Sequence, residues 1–140
     1  MTTITEQNKQ ICLTFLDEVH NKHNLKAIND YVSKDVVSHD PMPNQKAGTE
    51  GVKETMELFR SAFPDKHIAI NDSMAEHDKV MVKLTCFGTH KGDFMGMSAT
   101  NKPIEYEEVL IFRMKDGKIA EHWAVADTTA FLQQLGAKEL

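Results

Sequence analysis

Carboxylates and imidazoles that fall among apolar residues are the places where this sequence can do chemistry. Glu108 stands in the run Tyr106-Glu107-Glu108-Val109-Leu110-Ile111-Phe112. In a strand, side chains two residues apart share a face, so Tyr106, Glu108, Leu110 and Phe112 form one set. A carboxyl group held in that company would be poorly solvated, which raises its pKa and suits it to proton transfer near neutral pH. The alternative is an exposed glutamate beside Glu105 and Glu107, since a single bulge reverses the phase. His39, His90 and His122 each lie in or at the end of a strand-like run, so all three can converge on one pocket, and histidine transfers protons at cellular pH. A structural hydrogen-bonding role stays open for each. Their spacing carries no metal signature, and no metal is expected. Asp127 precedes a helical segment, where an aspartate either caps the helix or serves as a base.

The elements that must position these groups follow from periodicity. Ile11, Phe15 and Val19 recur every four residues with Cys12 and Leu16 beside them, marking an amphipathic helix that Thr3 or Thr5 can cap. Residues 25–31 read as a short second helix, 35–39 as a short strand stopped by Asp40-Pro41, and 41–51 as a loop. Val52, Met56, Phe59 and Phe63 mark a third helix, ended before Pro64. The period then falls to two. Residues 67–76 and 80–90 pair around a polar turn, and 104–114 and 119–126 pair around Lys115-Asp116-Gly117. Residues 128–135 close the chain as a helix stopped by Gly136.

Helices segregated from a meandering sheet predict an α+β fold. In it, N-terminal helices pack on a strongly curved antiparallel sheet and enclose a pocket for a small, mostly apolar molecule. Phe15 and Phe59 would stand behind the strand residues, and Met95 and Met97 would form an adaptable lip. Trp123 falls on the opposite strand phase with Ile119 and Val125. Together with Val109 and Ile111 these make an apolar outer face for a second copy to cover, unless Trp123 packs under a helix. Arg113, also out of phase with the pocket, faces Glu121 across the hairpin.

A length of 140 residues sets one domain over 1–140, with 41% hydrophobic and 26% charged residues giving it an ordinary core. The net charge of −5, with scattered Lys and Arg, excludes nucleic acid as the expected partner. Cys12 and Cys86 are distant and form no CxxC, which reads as two buried reduced thiols. No charged-then-apolar leader opens the sequence and no apolar run is long enough to span a bilayer, so the expected address is cytoplasmic, with no membrane partner.

The run Gly88-Thr89-His90-Lys91-Gly92, then Phe94-Met95-Gly96, the stretch 112–119, Glu121-His122-Trp123, Asp127 and Gln134-Leu135-Gly136 resembles the SnoaL-like polyketide cyclase family. That family belongs to the cone-shaped superfamily that includes nuclear transport factor 2 and ketosteroid isomerase. The resemblance implies a homodimer with a cofactor-free pocket, in which a carboxylate helped by a histidine closes a polyketide ring by intramolecular aldol condensation. Counting through the shared Asp-Gly-Lys-Ile, it places Ala124 where the cyclases carry that aspartate and Leu110 where they carry that histidine. The expected function is a cofactor-independent enzyme moving protons on a small apolar carbonyl compound, by cyclisation, isomerisation or dehydration. Its catalytic groups would be Glu108 or Asp127 with His90 or His122, and its binding residues His39, Tyr106, Leu110, Phe112, Phe15 and Phe59. The alternative is a carrier that uses the same pocket only to bind, and a filled cone would instead mean a protein-interaction module.

Overall fold

The computed structural model describes residues 2–137, and its first helix begins where the sequence supplies a capping box. The Thr3 hydroxyl accepts from the Glu6 N–H at 3.1 Å, and the Glu6 carboxylate accepts from the Thr3 N–H at 3.3 Å. The helix α1 (Ile4–Leu16) widens into a π-helical turn, Asp17–Asn21, that buries Val19 and His20. After it come α2 (Ala27–Tyr31), β1 (Val32–Ser38), α3 (Gly48–Ala62), β2 (His67–Glu76), β3 (Lys79–Thr89), β4 (Pro103–Lys115), β5 (Lys118–Ala126) and α4 (Thr128–Gln134).

The five strands form one sheet in the order β1-β5-β4-β3-β2. From β2 to β5 it is an antiparallel meander, in which short turns join β2 to β3 and β4 to β5 and the longer segment 90–102 joins β3 to β4. Asp116 and Gly117 both take positive φ, 51° and 76°, which is the turn chemistry that closes a two-residue hairpin. The sheet is antiparallel except at one edge, where β1 pairs parallel to β5 through Val37 with Glu121 and Ser38 with His122. Residues of β1 show extended structure but carry no mark of a partner more than eighty positions away. The helix α3 also starts at Gly48, inside the span read as a loop. A Cβ at Gly51 would stand 1.8 Å from the Lys46 carbonyl oxygen, so this glycine allows the loop to fold back on the first helical turn.

Alternation along β3 and β4 is unbroken. Val80, Val82, Leu84 and Cys86 face inward on β3, opposite Phe112, Leu110, Glu108 and Tyr106 on β4. On β5 a bulge intervenes, because Met114 pairs with Ile119 while Arg113 pairs with Glu121, leaving Ala120 unpaired. Ile119 is therefore buried on the inner side, and its assignment to the outer face with Trp123 is corrected. Helix α1 covers β2 and β3, α3 lies on β1, and α4 lies on β4.

Phe63, at the end of α3, has no exposed surface and holds this side of the core together. Its ring lies 5.6 Å from that of Phe94, 5.7 Å from Phe131 and 5.4 Å from His90. Phe63→Ala should cost about 3–5 kcal/mol, because three rings cannot all collapse into the space. Urea unfolding checks this, and a loss below about 1 kcal/mol would mean that the cluster is not a packing centre.

Candidate functional site

The helices and the concave sheet face enclose a cavity of about 650 Å³, within the range of small-molecule sites. Phe15, Phe59, Leu110 and Phe112 supply much of its apolar wall, as their helical and strand spacing indicated. The exposed lining residues Asp40, Pro43, Met95 and Thr128 mark its opening. The methionine lip is a tight turn in which the Phe94 and Met97 backbones exchange hydrogen bonds of 2.8 and 2.9 Å. Met95 and Gly96 take positive φ at its tip.

Polar groups occupy two ends of this cavity. At one, the His122 Nε2 lies 2.7 Å from the Ser38 hydroxyl, which accepts from the Gln45 amide at 3.4 Å, while the Thr55 hydroxyl donates to the Gln45 carbonyl at 3.0 Å. Asp40 is held there by the Ala124 N–H, donated at 2.8 Å. Burial lowers the His122 pKa, the Asp40 charge raises it, and His39 adds a lowering push, with a net fall. At the other end lie Glu108, Tyr106, Lys66 and His20. Burial raises the Glu108 pKa, partly opposed by the Lys66 charge, and its carboxyl takes no hydrogen bond from any described residue. Burial pushes the Tyr106 hydroxyl far up, and holds His20 neutral with help from Lys66 and His23.

Glu108 and His122 do not meet. His122 pairs with Phe112 and Ala126 pairs with Glu108, so the two groups are separated by roughly 13 Å along the strands. The other sites read from sequence are placed as follows. His90 is completely buried behind the wall rather than lining it. Its Nδ1 accepts the Thr100 N–H at 3.3 Å, and its Nε2 has no partner among the described residues. The strand ends beneath Phe63 and not at the cavity, so His90 does not converge on it with His122. His39 stands on the outer side of the sheet, stacked on Trp123 at 4.4 Å between ring centroids and 3.1 Å from a Glu121 oxygen. It follows Ser38, which points inward, so alternation turns it away. Asp127 caps α4, accepting from the Ala130 N–H at 3.0 Å, and does not line the cavity. Arg113 pairs with Glu121 as expected. Cys12 and Cys86 are buried free thiols, with burial pushing Cys86 up to about 11. Among the described residues no cluster could hold a metal, and no helix is long and apolar enough to cross a membrane.

Sequence reasoning missed Asp40, Lys66 and His20. Asp40-Pro41 reads only as a strand stop and Pro64-Asp65-Lys66 only as a helix stop. His20 was passed over as part of a helix whose apolar stripe ends beside it, although its place after Val19 was the available signal.

The model of the SnoaL-like polyketide cyclase family matches residues 10–135. The chain is 27% identical to the aklanonic acid methyl ester cyclase DnrD of Streptomyces peucetius over 76% of its own length and 72% of that protein. It resembles the structure of AclR, a proposed hydroxylase of Streptomyces galilaeus, at 32% identity and TM-score 0.83, covering 94% of this chain and 97% of that one. TsrD of Streptomyces laurentii shares the fold, with TM-score 0.87 at 23% identity over 97% and 99% of the two chains.

The environment of His122 is directly measurable by proton-detected titration. Its pKa should lie below 6.5 in the native protein. Asp40→Asn should push it lower still, since the substitution removes the charge that favours the imidazolium. A rise in that variant would show that Asp40 does not act on His122.

Proposed function

The chain belongs to the SnoaL-like polyketide cyclase family, and within it we propose a cofactor-independent enzyme that moves a proton on a small, largely apolar carbonyl compound with Glu108 as acid/base. The observation that carries this reading is a carboxyl group facing an apolar-walled cavity, raised in pKa by burial, with no hydrogen bond from any described residue. Such a group is a stronger base when ionised than an exposed carboxylate and a ready acid when protonated. It would take a proton from the carbon beside a carbonyl and return it elsewhere on the same molecule. His122, at the far end, is too distant to share that proton. With Ser38, Gln45 and Asp40 it is suited to orienting the ligand's other polar end.

DnrD is named for an ester cyclisation and AclR is a proposed hydroxylase, so side chains within the cavity, not the fold, must choose the reaction. A second reading, a carrier that only binds, is favoured by one observation. Leu110 and Ala124 pair directly across β4 and β5 and both line the cavity, bringing no functional group to its centre. The outer sheet face belongs to the proposal as well: Val109, Ile111, Trp123 and Val125, the last 72% exposed, would be covered in a two-fold dimer. The setting proposed is cytoplasmic, where Cys12 and Cys86 stay reduced.

With an anthraquinone-type keto ester as probe, Glu108→Gln should slow solvent deuterium exchange at the acidic carbon by about a hundred- to ten-thousand-fold. Native exchange should fall as pH drops through the Glu108 pKa, because the base must be ionised. An unchanged rate in Glu108→Gln would leave the carrier reading standing. Aldol cyclisation of the same ester should be slow and should rise in the double variant Ala124→Asp with Leu110→His, which supplies a carboxylate and an imidazole to the centre of the cavity. For the dimer, Val125→Arg should halve the mass seen by light scattering without changing the circular dichroism spectrum. A native monomer at micromolar concentration would end that part of the proposal.

A further inference from the structure

Lys66 owes its place to a turn forced by the end of α3. Pro64 stops the helix, and the Lys66 N–H donates to the Phe63 carbonyl at 3.0 Å. The Asp65 carboxylate accepts the Thr89 N–H at 2.8 Å and the Thr89 hydroxyl at 2.7 Å, tying the turn to the end of β3. Alternation into β2 then turns Lys66 and Ile68 inward together. The side chain lines the cavity and is only 9% exposed, with its ammonium 4.6 Å from the centroid of the Phe59 ring. It makes no ion pair or hydrogen bond with any described residue.

An aromatic face is a partial substitute for the water a lysine gives up on burial. The carboxyl that faces the same space, Glu108, stands beyond ion-pair distance, and the neighbouring Tyr106 and His20 carry no negative charge, the Tyr106 hydroxyl being engaged with the Cys86 thiol. This end of the cavity therefore holds a cation and an unfilled space beside it.

The geometry points to a recognition site for a negatively charged oxygen carried on an apolar body, with Lys66 as its counter-ion. The assignment deepens the reading of the cavity as a ligand site and rests on it. A ligand oxygen placed beside Lys66 would receive charge-assisted hydrogen bonds from the ammonium inside an apolar wall, where they are stronger than in water. In the proposed reaction that oxygen is the one beside the carbon that Glu108 deprotonates, so the enolate forms where the ammonium already stands.

The test compares an anthracene carboxylate with the matching neutral carboxamide, binding to the full chain by calorimetry at neutral pH. The native protein should prefer the carboxylate by about tenfold or more. Lys66→Met should abolish that preference while leaving the carboxamide affinity within about twofold, and Lys66→Arg should keep most of it. Lys66→Gln, which retains a polar head, should behave as Lys66→Met and decides the matter if the apolar variant does not fold. Ala124→Phe, which takes up part of the cavity between its two polar ends, should weaken binding of both probes. Equal affinities in the native protein, or a preference that survives both Lys66→Met and Lys66→Gln, would overturn the role of Lys66. Undiminished binding by Ala124→Phe would show instead that the probes lie outside the cavity, and the ligand-site reading would fall with the assignment built on it.

Discussion

The register of β4 is the constraint on which the rest of the molecule depends. The strand is hydrogen-bonded on both edges, and its pairing with β3 runs from Thr89 opposite Pro103 to Lys79 opposite Arg113 without a break. A slip of one residue would exchange the two faces of the sheet. Glu108 would then meet solvent, while Glu107, which now sits 3.9 Å from Lys83 on the outside, would be driven into an apolar cavity. Tyr106, Leu110 and Phe112 would leave the core with Glu108, and Val109 and Ile111 could not replace the aromatic wall. The apolar content of the inner phase thus fixes Glu108 as the carboxylate that β4 turns into the cavity.

Burial then decides which polar groups retain useful chemistry. Tyr106 and Cys86 are both pushed up by loss of solvent, so neither ionises near neutral pH, and His20 is held neutral. What stays responsive is a raised carboxyl at one end and a lowered imidazole at the other. Their separation along β4 and β5 exceeds the reach of a hydrogen bond several times over. They cannot form a catalytic pair, because each faces a different end of the cavity.

How much of this is legible in the sequence depends on the range of the interaction involved. The helix stripes, the two-residue alternation of β3 and β4 and the Asp116-Gly117 turn are local, and each could be read from a few adjacent residues. Glu108, Tyr106, Leu110 and Phe112 reached the cavity for the same reason. The parallel seat of β1, the bulge at Ala120 and the inward turn of Lys66 depend on contacts between distant segments, which no short window encodes. His39 and His90 show the limit well. Both lie at strand ends, yet one side chain is turned outward beside inward-facing Ser38, and the other is sealed beneath Phe63 where the strand has run past the cavity.

The centre of the sheet explains why fold membership does not determine the reaction. Leu110 and Ala124 face each other across β4 and β5, and both contribute only surface and volume to the cavity. Glu108 lies two residues farther along the same face, where the turn after α3 brings Lys66 into range. Moving the carboxyl by one strand repeat therefore changes its electrostatic partner as well as its location. The end of the cavity that carries Lys66 is the end fixed by Pro64, Asp65 and Thr89. A ligand's reactive carbon would have to lie toward that turn, with its remaining polar group reaching back to His122.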